Sequence, residues 1–105
     1  MANSPPHRLA RILDYKRDEI ASLQRSRSYS ELESEARDVG GLRGFEEAIT
    51  TVAAADGNAL ICEIKRRSPS AGDINVTRTP TDAARCYEAG GASCISVLTD
   101  GPSFG

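Results

Sequence analysis

Apolar residues recur at helical spacing through the first half of the chain. From about Arg8 to Leu23, Leu9, Ile12, Leu13, Ile20 and Leu23 share one face, while Arg11, Lys16, Arg17 and Asp18 fall largely elsewhere. This predicts an amphipathic surface helix. A polar stretch from Gln24 to Tyr29 follows. Ser30 stands three residues before Glu33, the spacing of a capping box. A short helix is therefore expected from there to about Arg37, ended by Gly40-Gly41. Phe45, Ala48, Ile49 and Val52 form a third helical stripe, which Asp56-Gly57-Asn58 breaks.

The period then changes from that of a helix to that of a strand. Ala59 to Lys65 reads as a strand, with Leu60, Cys62 and Ile64 on one face and Ala59, Ile61, Glu63 and Lys65 on the other. A loop containing Pro69, Gly72 and Asp73 comes next. Thr79-Pro80-Thr81-Asp82 is a helix start, with Thr as the cap, Pro at the first helical position and an acid in the first turn. That helix is expected to reach about Ala89 and to stop at Gly90-Gly91. Ser93 to Leu98, carrying Ile95, Val97 and Leu98, reads as a second strand. Strand, crossover helix and strand make a βαβ unit of the usual size, roughly thirty residues from strand to strand. Such a connection implies parallel strands. The expected division is 1–58 as a helical extension and 59–105 as a βαβ unit.

Composition narrows the class. The 105 residues suggest one domain at most. With 39% hydrophobic and 27% charged residues the chain is globular in composition. The net charge of -2 and the lack of a dense basic run, Arg66-Arg67 being only a pair of arginines, argue against nucleic acid as a partner. No apolar stretch approaches the roughly 20 residues of a membrane span, which argues against a membrane role. Met1 to Arg11 holds Pro5-Pro6 and His7 and no apolar signal core, which points to the cytoplasm. His7 is expected to lie in a mobile terminus and is given no role. Cys62, Cys86 and Cys94 are odd in number and lack CxxC spacing, which argues against disulfides or zinc. Each sits among apolar neighbours and is expected to pack as a small hydrophobe.

The unusual feature is an acid and a base inside a strand. Glu63 and Lys65 share a face, and a buried face carrying both is costly unless they pair or line a site. An exposed edge strand with a solvated ion pair is the plain alternative. Against it, strands of parallel sheets are usually covered on both faces. Lysine usage points the same way. There are eleven arginines and two lysines, Lys16 and Lys65. Arginine serves a structural pair but stays protonated, whereas lysine can be tuned to exchange a proton near neutrality.

The run Glu63-Ile64-Lys65-Arg66-Arg67-Ser68-Pro69-Ser70 closely resembles the first barrel strand and following loop of the indole-3-glycerol-phosphate synthase family. That family reads Glu, any residue, Lys, two variable and often basic residues, then Ser-Pro-Ser. Ile74 followed by Pro80, then Tyr87-Glu88-Ala89-Gly90-Gly91-Ala92, resembles its first crossover helix. Ile95-Ser96-Val97-Leu98-Thr99-Asp100 resembles its second strand. Phe104 falls where the family carries a Phe shortly after that strand. Ile12-Leu13 and Phe45-Glu46-Glu47-Ala48-Ile49 fit its N-terminal helices more loosely. Asp100-Gly101-Pro102-Ser103 departs from the family's usual charged and aromatic run.

The resemblance implies an α/β fold: the N-terminal part of a TIM (β/α)₈ barrel with a helical N-terminal extension, truncated after the second strand. A whole barrel takes about 250 residues. It implies ring closure of 1-(2-carboxyphenylamino)-1-deoxyribulose 5-phosphate with loss of carbon dioxide and water, in tryptophan biosynthesis, with no cofactor or metal. The substrate is a phosphorylated small molecule. By resemblance, Lys65 contacts the substrate carboxylate and takes part in acid catalysis, and Glu63 holds it charged and oriented. Ser68 binds substrate through its hydroxyl or backbone, and Phe104 walls the aromatic pocket. Ser68 is also an ordinary turn residue before Pro69, and Phe104 an ordinary core residue. The family's second catalytic lysine, its catalytic glutamate and its phosphate site come from strands three, four, and seven and eight. A 105-residue chain is then expected to be inactive alone. The competing expectation is a non-catalytic protein that self-associates or binds a complementary barrel part. Another phosphate-handling barrel, such as the isomerase of the preceding step, is disfavoured by the Glu-x-Lys-x-x-Ser-Pro-Ser run.

Overall fold

The computed structural model describes residues 7–74 and 77–105. The Pro-rich start, Met1–Pro6, and the centre of the 71–79 loop, Asn75-Val76, lie outside the described residues. The chain divides into two compact units, 1–42 and 43–105.

The first unit holds α1 (His7–Ser26) and α2 (Tyr29–Asp38). The apolar stripe and a run of short-range pairs account for α1. Lys16 bonds Glu19 at 2.7 Å and Arg17 bonds Asp14 at 3.0 Å, each three residues apart. The helix extends beyond both expected ends. His7 is its first residue rather than part of a mobile terminus, and Gln24–Ser26, expected as polar loop, are helical. The cap of α2 is also shifted from expectation. Ser28, not Ser30, is the N-cap: it is extended at φ -76° and ψ 158°, and its hydroxyl accepts from the Glu31 amide. The Glu31 carboxylate accepts from the Ser28 amide at 2.7 Å and from its hydroxyl at 2.9 Å. The pattern Ser-x-x-Glu occurs twice in succession, at 28–31 and 30–33. Arg27 also pairs with Glu35 at the start of this helix.

The second unit holds α3 (Phe45–Ala54), β1 (Ile61–Ile64), β2 (Arg67–Ser68), β3 (Gly72–Asp73), α4 (Pro80–Ala89), β4 (Cys94–Val97) and α5 (Gly101–Phe104). β1 and β4 pair in parallel, with Ile61 beside Cys94 and Ile64 beside Val97. Their regular part is shorter than expected, but ladder bonds run past it. Ser93 and Cys94 donate to Leu60 O at 3.0 and 3.1 Å, and Leu98 donates to Ile64 O at 3.1 Å. The crossover helix starts and stops as its residues predict. Thr79 Oγ1 accepts from the Asp82 amide at 3.1 Å, Pro80 opens the helix, and Gly90 caps it.

Two elements depart from expectation. The segment after β1, expected as plain loop, contains the antiparallel hairpin β2–β3, with Arg67 opposite Asp73 and Ser68 opposite Gly72. Strands of two residues are too short for an alternation to register. After β4 comes α5, a single turn capped by Asp100, whose carboxylate accepts from the Ser103 amide at 3.0 Å.

The core is small. Among the described residues, Ile64 and Cys94 are the buried apolar ones. α4 packs on β1, and α3 packs on β4. Leu60, Cys62 and Ile64, which alternation puts on one face, are unequally covered: Ile64 is buried, Cys62 half-buried and Leu60 52% exposed. Two strands and one crossover helix are too few to cover the row. The cysteines also differ. Cys94 is buried and donates to Phe45 O at 3.4 Å, whereas Cys86 is exposed on α4 beside the Arg78 guanidinium rather than packed.

Candidate active site

Lys65 is the first residue after β1, at the C-terminal end of the parallel pair. Strand alternation turns Glu63 and Lys65 to one side. The Lys65 ammonium stands 3.6 Å from Glu63 Oε1. That is a charge contact longer than a hydrogen bond. Both side chains are partly open to solvent, at 35% for Lys65 and 48% for Glu63. An ion pair so exposed contributes only about 0–1 kcal/mol to stability. The same strand face carries Ile61, which is 53% exposed, so among the described residues no second layer covers it. The pair is therefore of the solvated kind, on a strand with an open edge. Its stabilising value is small, and its charges are available to a ligand.

A cleft of about 300 Å³ opens beside this pair. Glu63, Lys65 and Arg66 line it from the strand end, and Arg78, Thr79 and Tyr87 from the approach to α4 and the helix itself. Three cationic residues face one carboxylate, next to the N-terminus of α4, where backbone N–H groups add positive potential. Tyr87 Oη donates to Glu63 O at 3.1 Å, tying the helix to the strand at this point. Sequence reasoning missed Arg66, Arg78 and Tyr87 as lining residues. The signal in reach was the basic pair following Lys65.

The other two expected residues lie together but apart from this cleft. Ser68, on β2, is buried, and its hydroxyl accepts from the Ala71 amide at 3.1 Å and bonds Ser70 Oγ at 3.2 Å. It holds the hairpin turn. Phe104 ends α5, which packs on β2, and is half-buried. Neither residue lines the cleft. So the structure joins Glu63, in β1, with Lys65 just after it, and joins the element of Ser68 with that of Phe104, both beyond the C-terminal ends of the parallel strands. Among the described residues no three His, Cys, Asp or Glu side chains form a group able to hold a metal ion. Among the same residues, no helix is long and apolar enough to cross a membrane.

A parallel βαβ unit, preceded by helices and carrying an acid–lysine pair at its C-terminal strand end, defines an α/β chain with enzyme-like site placement. The family model described as indole-3-glycerol phosphate synthase matches residues 9–105. A protein of Hyphomonas neptunium named indole-3-glycerol phosphate synthase is 58% identical over 97 residues, covering 92% of this chain and 37% of its own length. Proteins of the same name from Rhizorhabdus wittichii and Rhodospirillum rubrum are 43% and 44% identical, over 93% and 91% of this chain. The chain belongs to the indole-3-glycerol phosphate synthase family. It spans a little over a third of the length of these curated relatives.

Proposed function

We propose that this chain supplies the first strand end of an indole-3-glycerol-phosphate synthase active site. The observation that carries the reading is the Glu63–Lys65 pair at the C-terminal end of β1, in a chain of this family. In this reading residues 1–58 act as the helical extension and 59–105 as the opening βαβ unit of a (β/α)₈ barrel working in the cytoplasm. The phosphorylated substrate closes a ring: a carbon of its aromatic ring attacks the sugar carbonyl carbon, and carbon dioxide and water leave. Negative charge grows on the carbonyl oxygen as the bond forms. The Lys65 ammonium stabilises that charge and donates the proton. Glu63 keeps the ammonium charged and aimed. Ser68 contributes to substrate binding through the hairpin it braces, and Phe104 forms a wall for the aromatic ring. The cationic lining of the neighbouring cleft favours an anionic ligand.

The test is the full-length product of this gene, assayed by the fluorescence of indole-3-glycerol phosphate. The wild-type protein should form product, and Lys65→Ala should lower turnover by about a hundredfold or more. Equal turnover in the two would remove Lys65 from the chemistry. A second reading is favoured by one observation: Ile61 and Val97 are more than half exposed on a sheet that, among the described residues, has two strands and both edges open. Open edges invite association. In that reading the 105-residue chain alone is inactive and self-associates or takes up a complementary barrel part. A monomer in sedimentation together with a cooperative thermal unfolding transition of the chain would count against it.

A further inference from the structure

Two loops lie beyond the C-terminal ends of β1 and β4, and one side chain ties them together. Arg67 opens the hairpin that follows β1, and Gly101 and Pro102 open α5, which follows β4. Arg67 Nη2 donates to Gly101 O at 2.9 Å and lies 3.4 Å from Pro102 O. The stem of Arg67 runs along the end of the same helix: a Cβ placed on Gly105 would meet its Cγ, Cδ and Nε at 3.6–3.7 Å. In the hairpin register Arg67 stands opposite Asp73, yet its guanidinium reaches across 34 residues of sequence to α5. Charge-assisted bonds of this kind are stronger and more directional than neutral ones. The two adjacent arginines thus do different things. Arg66 lines the cleft beside Lys65, and Arg67 binds backbone.

We infer that Arg67 is a positioning residue: it holds α5, and with it Phe104, against the hairpin that follows Lys65. The inference rests on the reaction proposed above. Lys65 is two residues before Arg67, and Phe104 is three residues after Gly101, so this one contact sets the spacing between the proton donor's strand and the aromatic wall. The guanidinium is suited to the task because its several N–H donors fan out within one rigid plane, whereas a lysine ammonium is a compact point charge on a flexible stem.

The experiment uses the full-length product of this gene with Arg67→Met and Arg67→Lys. Methionine keeps an apolar stem beside Gly105 and removes the donors. Arg67→Met should raise KM about tenfold or more, with a smaller change in kcat and a melting temperature near that of wild type, because a misplaced wall costs substrate alignment. Arg67→Lys should recover part of the loss. Amide hydrogen exchange at Phe104 and Gly105 should be faster in Arg67→Met than in wild type. Wild-type KM in Arg67→Met overturns the inference, whatever the exchange rates. A fall in melting temperature with no selective rise in KM also overturns it, since that is the signature of a structural strut. Should the wild-type protein form no product, the proposed reaction fails; unchanged exchange in Arg67→Met would then sink the tie itself, and faster exchange would uphold it.

Discussion

The two ends of the parallel strand pair are built differently. At the N-terminal end, α3 packs on β4, Cys94 is buried and bonded to Phe45 O, and the turn into β1 is closed by the Gly57 amide donating to Val52 O at 3.0 Å. At the C-terminal end the side chains are Glu63, Lys65 and Arg66, exposed and charged, and the backbone is carried off into a hairpin and a single helical turn. One end encloses apolar and backbone groups, and the other presents charge. Parallel strands make this division natural, because both chains leave the sheet at the same end and their loops meet there. Barrel enzymes place chemistry at that end and stability at the other.

The sharpest way to break the comparison is Lys65→Arg in the full-length product. Charge is kept, but arginine cannot deliver the proton. Turnover should fall by about a hundredfold, as general acid catalysis is worth about 10²–10⁴-fold. Unchanged turnover would make Lys65 a structural cation and erase the chemical character of its end. The counterpart at the N-terminal end is Gly57→Ala. Its Cβ would sit 2.9 Å from Val52 Cγ1 and 3.1 Å from Val52 O. Valine is stiff at χ1, so the turn must shift, at a cost of about 1–3 kcal/mol. Thermal unfolding should show that loss, while KM stays unchanged.

Glu63→Gln should fall between these two. It removes the charge proposed to aim Lys65 but leaves the strand intact, so turnover should drop roughly tenfold with little loss of stability, the pair itself being worth about 0–1 kcal/mol. A large drop in melting temperature with full turnover would move Glu63 into the structural column. The smallest effect concerns α2, in the first unit. The Ser28 amide and hydroxyl hold the Glu31 carboxyl below the usual carboxylate range. A lowered value means that the capping box contributes fully above the ordinary glutamate range. Its contribution is lost as pH falls through the lower folded value. Circular dichroism on acidification should show a small helical loss that Glu31→Gln no longer shows.

Much of the second unit was legible along the chain. Thr79-Pro80 and Gly90-Gly91 bracket α4 because caps are local chemistry, and the alternation through Glu63 and Lys65 placed both on one face. The cap of α2 was misplaced because two overlapping Ser-x-x-Glu patterns compete, and only backbone conformation selects Ser28 over Ser30. The hairpin was missed because Arg67-Ser68 and Gly72-Asp73 carry no periodicity. α5 had a readable start in Asp100-Gly101-Pro102, an acid cap with Pro in the first turn. Ser68 was legible as a turn residue. That its hydroxyl is spent on Ala71 and Ser70 was not.

By itself the sequence determined helices α1 to α4, the strands β1 and β4, their parallel sense and the candidate acid–lysine pair. All of these rest on interactions between residues a few positions apart, or on the rule that a crossover helix returns the chain in the same direction. Tertiary structure alone decided what meets across long separations: Phe45 with Cys94, Tyr87 with Glu63 O, and Arg67 with Gly101 O. Each of these contacts uses a backbone carbonyl as acceptor. Every residue offers a carbonyl, so composition and spacing cannot say which one a distant donor will find. Only the packing of β1 against β4, with the segments on either side of them, brings the chosen one within reach.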